Sequence, residues 1–107
     1  MAGCDPTGFG GIIAGFGDQR ELELLVEAGF TPVEAIHIAT ENGAKWLSEE
    51  GSVGTIATGK AADLVVINGN PAEKISDVEK VGIVFKDGVG YDPLALLHSV
   101  QGLAGIR

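Results

Sequence analysis

The apolar positions at the start of the chain form a short run that ends in a single carboxylate. Met1-Ala2-Gly3-Cys4 is small and apolar, and Asp5 follows it directly. This pattern predicts a buried strand over residues 1–5, because strands buried on both faces are nearly continuous in apolar residues. Five glycines lie among apolar residues in positions 6–17, which predicts a long loop after the strand.

The next apolar pattern predicts a helix between Asp18 and Gly29. Asp18 is the expected N-cap, because Glu21 stands three residues later, at the spacing of a capping box. Gly29 is the expected stop, since glycine is favoured just past a helix end. Apolar side chains recur between these limits at i, i+3 and i+4, at Leu22, Leu25 and Val26.

A second helix is predicted to begin at Thr31 and to end near Leu47. The segment 31–34 reads Thr-Pro-Val-Glu, which combines a threonine cap, a proline at the first helical position and a glutamate at the third. One face of this segment carries mostly small residues. Such a face lets the helix lie close against a neighbour.

The remaining pattern changes to strands and turns. Residues 63–68 and 81–86 are rich in β-branched residues and predict two strands, and Asp87-Gly88 predicts a hairpin turn after the second. Asp92-Pro93 predicts the start of a short final helix through residues 94–97. Two antiparallel strands are marginal alone in water. We therefore expect this pair to join a sheet whose other strands lie outside this chain.

Composition narrows the class of protein. At 107 residues, with 45% hydrophobic and 21% charged residues, the chain can form one small globular domain or two part-domains. A net charge of −8 with scattered basic residues argues against nucleic acid as a partner. No apolar run approaches the roughly 20 residues of a membrane span, so no membrane partner is expected. The sequence contains no recognisable signal peptide. A signal peptide upstream of this chain would be compatible with the sequence.

The single cysteine, Cys4, excludes an internal disulfide and a cysteine zinc cluster. It fits a reducing compartment, which favours the cytoplasm. No residue near it in the sequence supplies a base, so we interpret Cys4 as a small buried residue.

His37 has Glu41 four residues later, which allows a surface pair on a helix. His98 is placed to interact with a helix C-terminus, and neither histidine is predicted to bind a metal.

Two glycine-rich segments resemble nucleotide loops without completing the pattern. Residues 54–60 match the first seven positions of a phosphate-binding loop, but Ala61 replaces the required Ser or Thr and a strand follows. We interpret this segment as a glycine turn that leads into a buried strand. Residues 8–13 lack the third glycine of a dinucleotide fingerprint, and they are equally compatible with a mobile loop over a pocket and with a plain loop.

Asp5 is the strongest candidate for chemistry, with two interpretations that stay equally open on residue chemistry alone. An acid at the C-terminal end of a barrel strand is typical of a catalytic residue, because active sites lie at that face of such barrels. An aspartate before Pro6 is also typical of a turn, where it hydrogen-bonds the backbone locally.

An ordered set of motifs along the whole chain resembles the amidohydrolase superfamily, in its imidazolonepropionase-like and Xaa-Pro dipeptidase (prolidase)-like branch. The motifs are Ala2-Gly3-Cys4-Asp5 with its glycine-rich loop, the segments 21–32, 34–36, 39–40 and 42–44, Gly59-Lys60-Ala61-Ala62-Asp63-Leu64-Val65-Val66, and the segments 86–88 and 91–93.

The resemblance implies an α/β fold: the C-terminal part of a metal-dependent (β/α)8 barrel of the TIM type, with part of a small β-sandwich domain. Residues 1–49 would be the last barrel strand and the following helices. Residues 50–91 would be the C-terminal part of the β-sandwich domain, and residues 92–107 a C-terminal helix and tail. The chain is accordingly expected to be the C-terminal fragment of a larger protein.

The resemblance also implies hydrolysis of a carbon–nitrogen bond in a small-molecule amide or a dipeptide. Asp5 would contact a divalent metal, expected to be Zn²⁺, and would accept a proton from the attacking water. Thr7 and Gly8 would line the mouth of the substrate pocket. Cys4 departs from the family, in which many members carry Thr or Ser before the aspartate. The complete protein is expected to be a homo-oligomer.

The other metal ligands of the family have no counterpart in this sequence. Zinc normally takes four ligands, so one carboxylate cannot hold it, and the isolated chain is expected to be inactive. An alternative hypothesis is a non-catalytic α/β module that docks a partner chain. Its support is the apolar surface that a truncated barrel must expose.

Overall fold

The structure, a computed structural model, describes residues 2–3, 12 and 15–102. In this part of the chain three helices precede a small sheet and a fourth helix follows it. The elements are α1 (Gly17–Glu27), α2 (Pro32–Ala39), α3 (Glu41–Trp46), β1 (Leu64–Ile67), a 3₁₀ helix (Ile75–Glu79), β2 (Val81–Lys86), β3 (Val89–Tyr91) and α4 (Pro93–Ser99). The strand predicted at residues 1–5 lies mostly outside the described residues, and Ala2 and Gly3 belong to no paired strand.

The first helix begins two residues earlier than the sequence predicts. Its N-cap is Phe16, which makes no side-chain cap, and Asp18 lies inside the first turn. The prediction of Asp18 as N-cap is therefore wrong, since an N-cap needs non-helical backbone. Glu21 is consequently no capping partner, and its Oε2 is shielded from solvent without a hydrogen bond. The predicted stop is confirmed, because Gly29 has a φ of +110°.

The second helix begins as predicted, with a complete capping box. The Glu34 N–H donates to Thr31 Oγ1 at 3.3 Å, and the Thr31 N–H donates to Glu34 Oε2 at 2.8 Å. The prediction of one helix to Leu47 is wrong, because Thr40 (φ −111°, ψ −85°) separates α2 from α3. The Thr40 hydroxyl donates to Ile36 O at 2.8 Å, and such bonding to the preceding turn tends to bend helices.

The three strands form one antiparallel sheet in the order β1-β2-β3. Leu64 pairs with Phe85, and Val84 lies between Val65 and Tyr91. The hairpin turn between β2 and β3 is confirmed. Asp87 (φ +50°) and Gly88 (φ +79°) are both left-handed, as the favoured two-residue hairpin turns require. Sequence patterns predicted β1 and β2 but not the third strand.

The most buried apolar residues lie on helices. Among the described residues they are Ala35 in α2, Ala44 in α3 and Val78 in the 3₁₀ helix. Helix α1 contacts both α2 and the 3₁₀ helix, so it lies between the helical half and the sheet half. Helix α4 begins as predicted, because Asp92 Oδ1 accepts a hydrogen bond from the Leu94 N–H at 2.9 Å. None of the helices in the described ranges is long and apolar enough to cross a membrane.

Candidate functional site

The residues predicted to carry chemistry lie outside the described part of the chain. This holds for Asp5, for Thr7 and for Gly8, and Cys4, interpreted as a small buried residue, also lies outside it. The structure therefore neither brings these residues together nor separates them. It does define several polar clusters in residues 15–102.

Lys60 anchors the loop that connects α3 to the sheet. Its ammonium donates to Glu50 O at 2.6 Å, to Val53 O at 3.3 Å and to Thr55 Oγ1 at 2.5 Å. An ammonium has three protons, so these three acceptors use its whole capacity. Lys60 is thus occupied within its own loop, which agrees with the interpretation of residues 54–60 as a structural turn. Gly59 is left-handed, with a φ of +90°, and β1 follows this segment.

Asp77 is the most buried charged residue of the described chain, and it supports the bend after β1. Its Oδ2 accepts a hydrogen bond from the Asn70 N–H at 2.9 Å, and its Oδ1 lies 2.7 Å from Lys80 Nζ. The Lys80 ammonium and the Asn70 N–H both favour the ionised form and lower the pKa of Asp77. Motif analysis did not identify this residue, because the 3₁₀ helix that contains it was not predicted and its partner Asn70 lies seven residues earlier in the chain.

Asp63 links the start of β1 to the hairpin turn. Its Oδ1 accepts from the Asp87 N–H at 2.8 Å, and its Oδ2 accepts from Lys86 Nζ at 2.7 Å. The Asp87 N–H and the Lys86 ammonium lower the pKa of Asp63, and the same ion pair raises the pKa of Lys86. This cluster secures β1 to the turn and contains no unpaired base for catalysis.

The histidines occupy positions consistent with their interpretation as surface residues. His37 Nδ1 lies 3.3 Å from Glu41 Oε2, and Lys45 Nζ lies 2.6 Å from Glu41 Oε1. Lys45 and, to a smaller extent, His37 lower the pKa of Glu41. His98 lies in the last turn of α4, where a positive charge interacts favourably with the helix dipole.

A shallow groove of about 290 Å³ lies between α1 and the 3₁₀ helix. It is lined by Arg20, Glu23, Val26, Glu27, Lys74, Ile75 and Ser76. Arg20 pairs with Glu23 at 2.7 Å and with Glu27 at 2.8 Å, so its charge is already compensated. The groove contains neither an orphaned buried base nor a nucleophile beside a base. Throughout the described ranges, no group of three His, Cys, Asp or Glu side chains is arranged to hold a metal ion.

Known proteins share both the sequence pattern and the architecture of this chain. The sequence pattern of the Amidohydrolase family matches residues 6–89. An adenine deaminase from Mesorhizobium japonicum is 35% identical over 70 residues, which cover 65% of this chain and 12% of that protein.

Solved structures match over the helices and the sheet together. A Xaa-Pro dipeptidase with methionine bound in its active site is 43% identical, with a TM-score of 0.68 over 70% of this chain and 18% of that one. A protein described as a prolidase from Bifidobacterium longum is 36% identical, with a TM-score of 0.69 over 81% and 24%. A molinate hydrolase is 27% identical, with a TM-score of 0.72 over 86% and 19%.

The chain thus spans between 12% and 24% of the length of these relatives. The family pattern itself covers most of the chain, from Pro6 to Val89. The chain belongs to the amidohydrolase family.

Proposed function

We propose that this chain forms part of a metal-dependent hydrolase that cleaves a carbon–nitrogen bond in a small-molecule amide or a dipeptide. The observation that carries the proposal is the match to the Xaa-Pro dipeptidase, at 43% identity and a TM-score of 0.68. The deaminase and the prolidase among the relatives agree with carbon–nitrogen chemistry as the shared reaction class.

The proposed architecture is the end of a (β/α)8 barrel followed by part of a β-sandwich. Residues 1–49 would contribute the last barrel strand and the helices after it, residues 50–91 the sandwich strands, and residues 92–107 a C-terminal helix and tail. The order of elements supports this division, because α1, α2 and α3 precede residue 50, all three strands lie within 50–91, and α4 follows. The outer edge of β1, unpaired among the described strands, is available to a further strand of the sandwich.

Asp5 is proposed to act at the end of the last barrel strand. Its carboxylate would take a proton from the attacking water and pass it to the leaving nitrogen, as a general base and then a general acid. Thr7 and Gly8 would line the mouth of the pocket. A divalent ion, when bound, lowers the pKa of a water ligand toward about 7.

The residues of this chain do not fit a complete metal site by themselves. The described residues hold no three-ligand group, and Asp5 alone supplies one carboxylate where zinc takes four ligands. The remaining ligands would come from protein outside this chain, so we propose that the isolated chain is inactive. An assay of the purified chain with Xaa-Pro dipeptides and added Zn²⁺ should show no turnover, and robust turnover would refute this part of the proposal.

The role of Asp5 is tested in a protein extended upstream. The genomic reading frame before Met1 is expected to continue into further barrel strands with a His-x-His pair. In the extended protein, Asp5→Asn should lower kcat by about 10²-fold or more, the contribution typical of general acid–base catalysis. The matched control is Glu49→Gln, because Glu49 is exposed and its side chain makes no hydrogen bond or ion pair in residues 15–102. Equal turnover in both variants would exclude the proposed role.

A non-catalytic docking module is the second candidate, and the apolar surface favours it. Trp46 is 73% exposed and Ile56 is 91% exposed, and large exposed apolar surfaces mark interaction sites. A stop codon and a ribosome-binding site just before Met1 would favour this module over the hydrolase.

The complete hydrolase is also proposed to be a homo-oligomer, which size-exclusion chromatography of the extended protein can establish.

A further inference from the structure

Asn68 and Gly69 form the bend that follows β1, and each of these exposed residues has one close neighbour in the fold. A Cβ atom on Gly69 would lie 2.5 Å from Asp77 Oδ2, so glycine is required at this position. The Asn68 side chain lies against Gly82 of β2, where an added Cβ atom would come within 2.8 Å of Asn68 Nδ2. Asn68 therefore directly precedes a glycine whose position has no room for a side chain.

The N–H groups on either side of the Asn68–Gly69 peptide make hydrogen bonds, whereas the two groups that would react with each other make none within the described residues. The Asn68 N–H donates to Lys80 O at 2.8 Å, and the Asn70 N–H donates to Asp77 Oδ2 at 2.9 Å. Within residues 15–102, neither the Asn68 carboxamide nor the Gly69 N–H makes a hydrogen bond. Both Asn68 and Gly69 are exposed, so water reaches them.

We propose that Asn68 is a site of spontaneous deamidation. The backbone nitrogen of Gly69 attacks Cγ of Asn68 and forms a new nitrogen–carbon bond. The bond from Cγ to the carboxamide nitrogen breaks, and that nitrogen leaves as ammonia with the proton from the Gly69 amide. Water then opens the cyclic imide at either carbonyl, which gives aspartate or isoaspartate. Glycine favours the attack, because it has no Cβ to obstruct the approach.

The chain contains a second Asn-Gly pair that serves as an internal control. Asn42 and Gly43 lie inside α3, where the Ala44 N–H donates to Thr40 O at 3.0 Å and the Leu47 N–H donates to Gly43 O at 3.1 Å. Turning the Asn42–Gly43 peptide toward the side chain disrupts these helical bonds. The reaction at Asn68 disrupts no hydrogen bond made by its own reacting groups, so it should be faster.

The reaction at Asn68 would alter the bend that Asp77 supports. Either product adds a negative charge beside β2, and isoaspartate also adds a methylene to the backbone just before Gly69. The longer backbone would displace Gly69 from Asp77 and weaken the hydrogen bond from the Asn70 N–H. The isoaspartate form should therefore unfold at a lower temperature than the unmodified protein.

The test is incubation of the full chain in mildly alkaline buffer, followed by trypsin digestion and mass spectrometry. Asn68 falls in peptide 61–74 and Asn42 in peptide 21–45, so the two sites separate. Asn70 shares the first peptide but precedes Pro71, whose nitrogen has no proton to lose. Peptide 61–74 should gain mass at least about tenfold faster than peptide 21–45, a barrier difference of about 1.4 kcal/mol. Treatment with an isoaspartyl methyltransferase should label the same peptide.

Two comparisons separate the effect of the fold from that of the sequence. In concentrated urea the two Asn-Gly pairs should react at similar rates, because the helix no longer protects Asn42. Asn68→Gln should abolish the mass gain in peptide 61–74, while Asn42→Gln should leave it unchanged. Equal rates in the folded chain, a preference that persists in urea, a gain that survives Asn68→Gln, or no reaction at Asn68 would each overturn the proposal.

Discussion

Gly54 lies directly against Ala44, where the loop that leads to the sheet crosses α3. A Cβ atom on Gly54 would come within 2.5 Å of Ala44 Cβ and within 3.2 Å of Glu41 Cα. Gly54 also has a φ of +89°, and Ala44 is only 5% exposed. Two small residues therefore set how closely the connecting loop approaches the helices.

Replacing this glycine should destabilise the protein more than replacing a nearby glycine in open space. Gly54→Ala adds a methyl group where overpacking costs about 1–3 kcal/mol. The left-handed backbone adds about 1–2 kcal/mol. Gly51→Ala is the matched control, because a Cβ atom there meets nothing within 4 Å. Urea unfolding followed by circular dichroism should show a lower midpoint for Gly54→Ala alone, and equal midpoints for both variants would contradict the contact.

The sequence predicts those parts of this fold that depend on residues close together along the chain. The Thr31 cap and the hairpin turn after β2 are confirmed, since each is set by residues at most three positions apart. The break at Thr40 was missed because the small-residue face continues through it, although a threonine that bonds the preceding turn was a readable signal. The role of Lys60 was not predicted, since two of its three acceptors are carbonyls whose positions depend on the folded loop.

Among the polar residues considered as site residues, some were predicted from the sequence and others were not. Asp5 was predicted from its place after an apolar run and from the family resemblance, and it lies outside the described residues. Asp77 shows the opposite case, because no local pattern distinguishes it from other surface acids. Its burial arises only when the 3₁₀ helix folds against the bend at Gly69 and Asn70.

Removing the Lys60 ammonium should release the loop that it anchors. Lys60→Met removes the donor to the exposed carbonyl of Glu50 and to the part-buried carbonyl of Val53, and loss of a typical hydrogen bond costs about 0.5–1.5 kcal/mol. Lys74→Met is the control, because the Lys74 ammonium makes no hydrogen bond or ion pair within the described ranges. Hydrogen exchange of residues 50–60 should accelerate in Lys60→Met only. Unchanged exchange there would show that the loop keeps its shape without the lysine.

The capping box of α2 should contribute measurably to stability. Thr31→Ala removes the hydroxyl that accepts from the Glu34 N–H, and loss of an N-cap costs about 1 kcal/mol. Thr58→Ala provides the control, because Thr58 is an exposed loop residue whose hydroxyl makes no hydrogen bond in residues 15–102. Thermal unfolding should give a lower Tm for Thr31→Ala than for Thr58→Ala. A Tm equal to that of the unmodified protein would mean that the box contributes nothing.

Asp77 should make the stability of the protein sensitive to acid. The Lys80 ammonium and the Asn70 N–H lower its pKa in the folded state, whereas the unfolded chain returns it toward about 3.9. A carboxyl whose folded pKa is lowered stabilises the fold fully above the unfolded pKa. That contribution is lost as the pH falls through the lower, folded pKa. Tm should therefore decline in acid as Asp77 becomes protonated, and Asp63 contributes in the same direction.

The variant Asp77→Asn separates this effect from general acid unfolding. It keeps the shape of the side chain but has no charge for Lys80, so its Tm should be lower than that of the parent chain at neutral pH. The difference between the two proteins should shrink as the pH falls below about 3.9, because the parent also loses the charge. Glu73→Gln, at an exposed acid whose side chain makes no ion pair within the described ranges, should follow the parent at every pH. A constant offset between Asp77→Asn and the parent would mean that the ion pair does not govern the acid response, and that Asp77 acts through its shape alone.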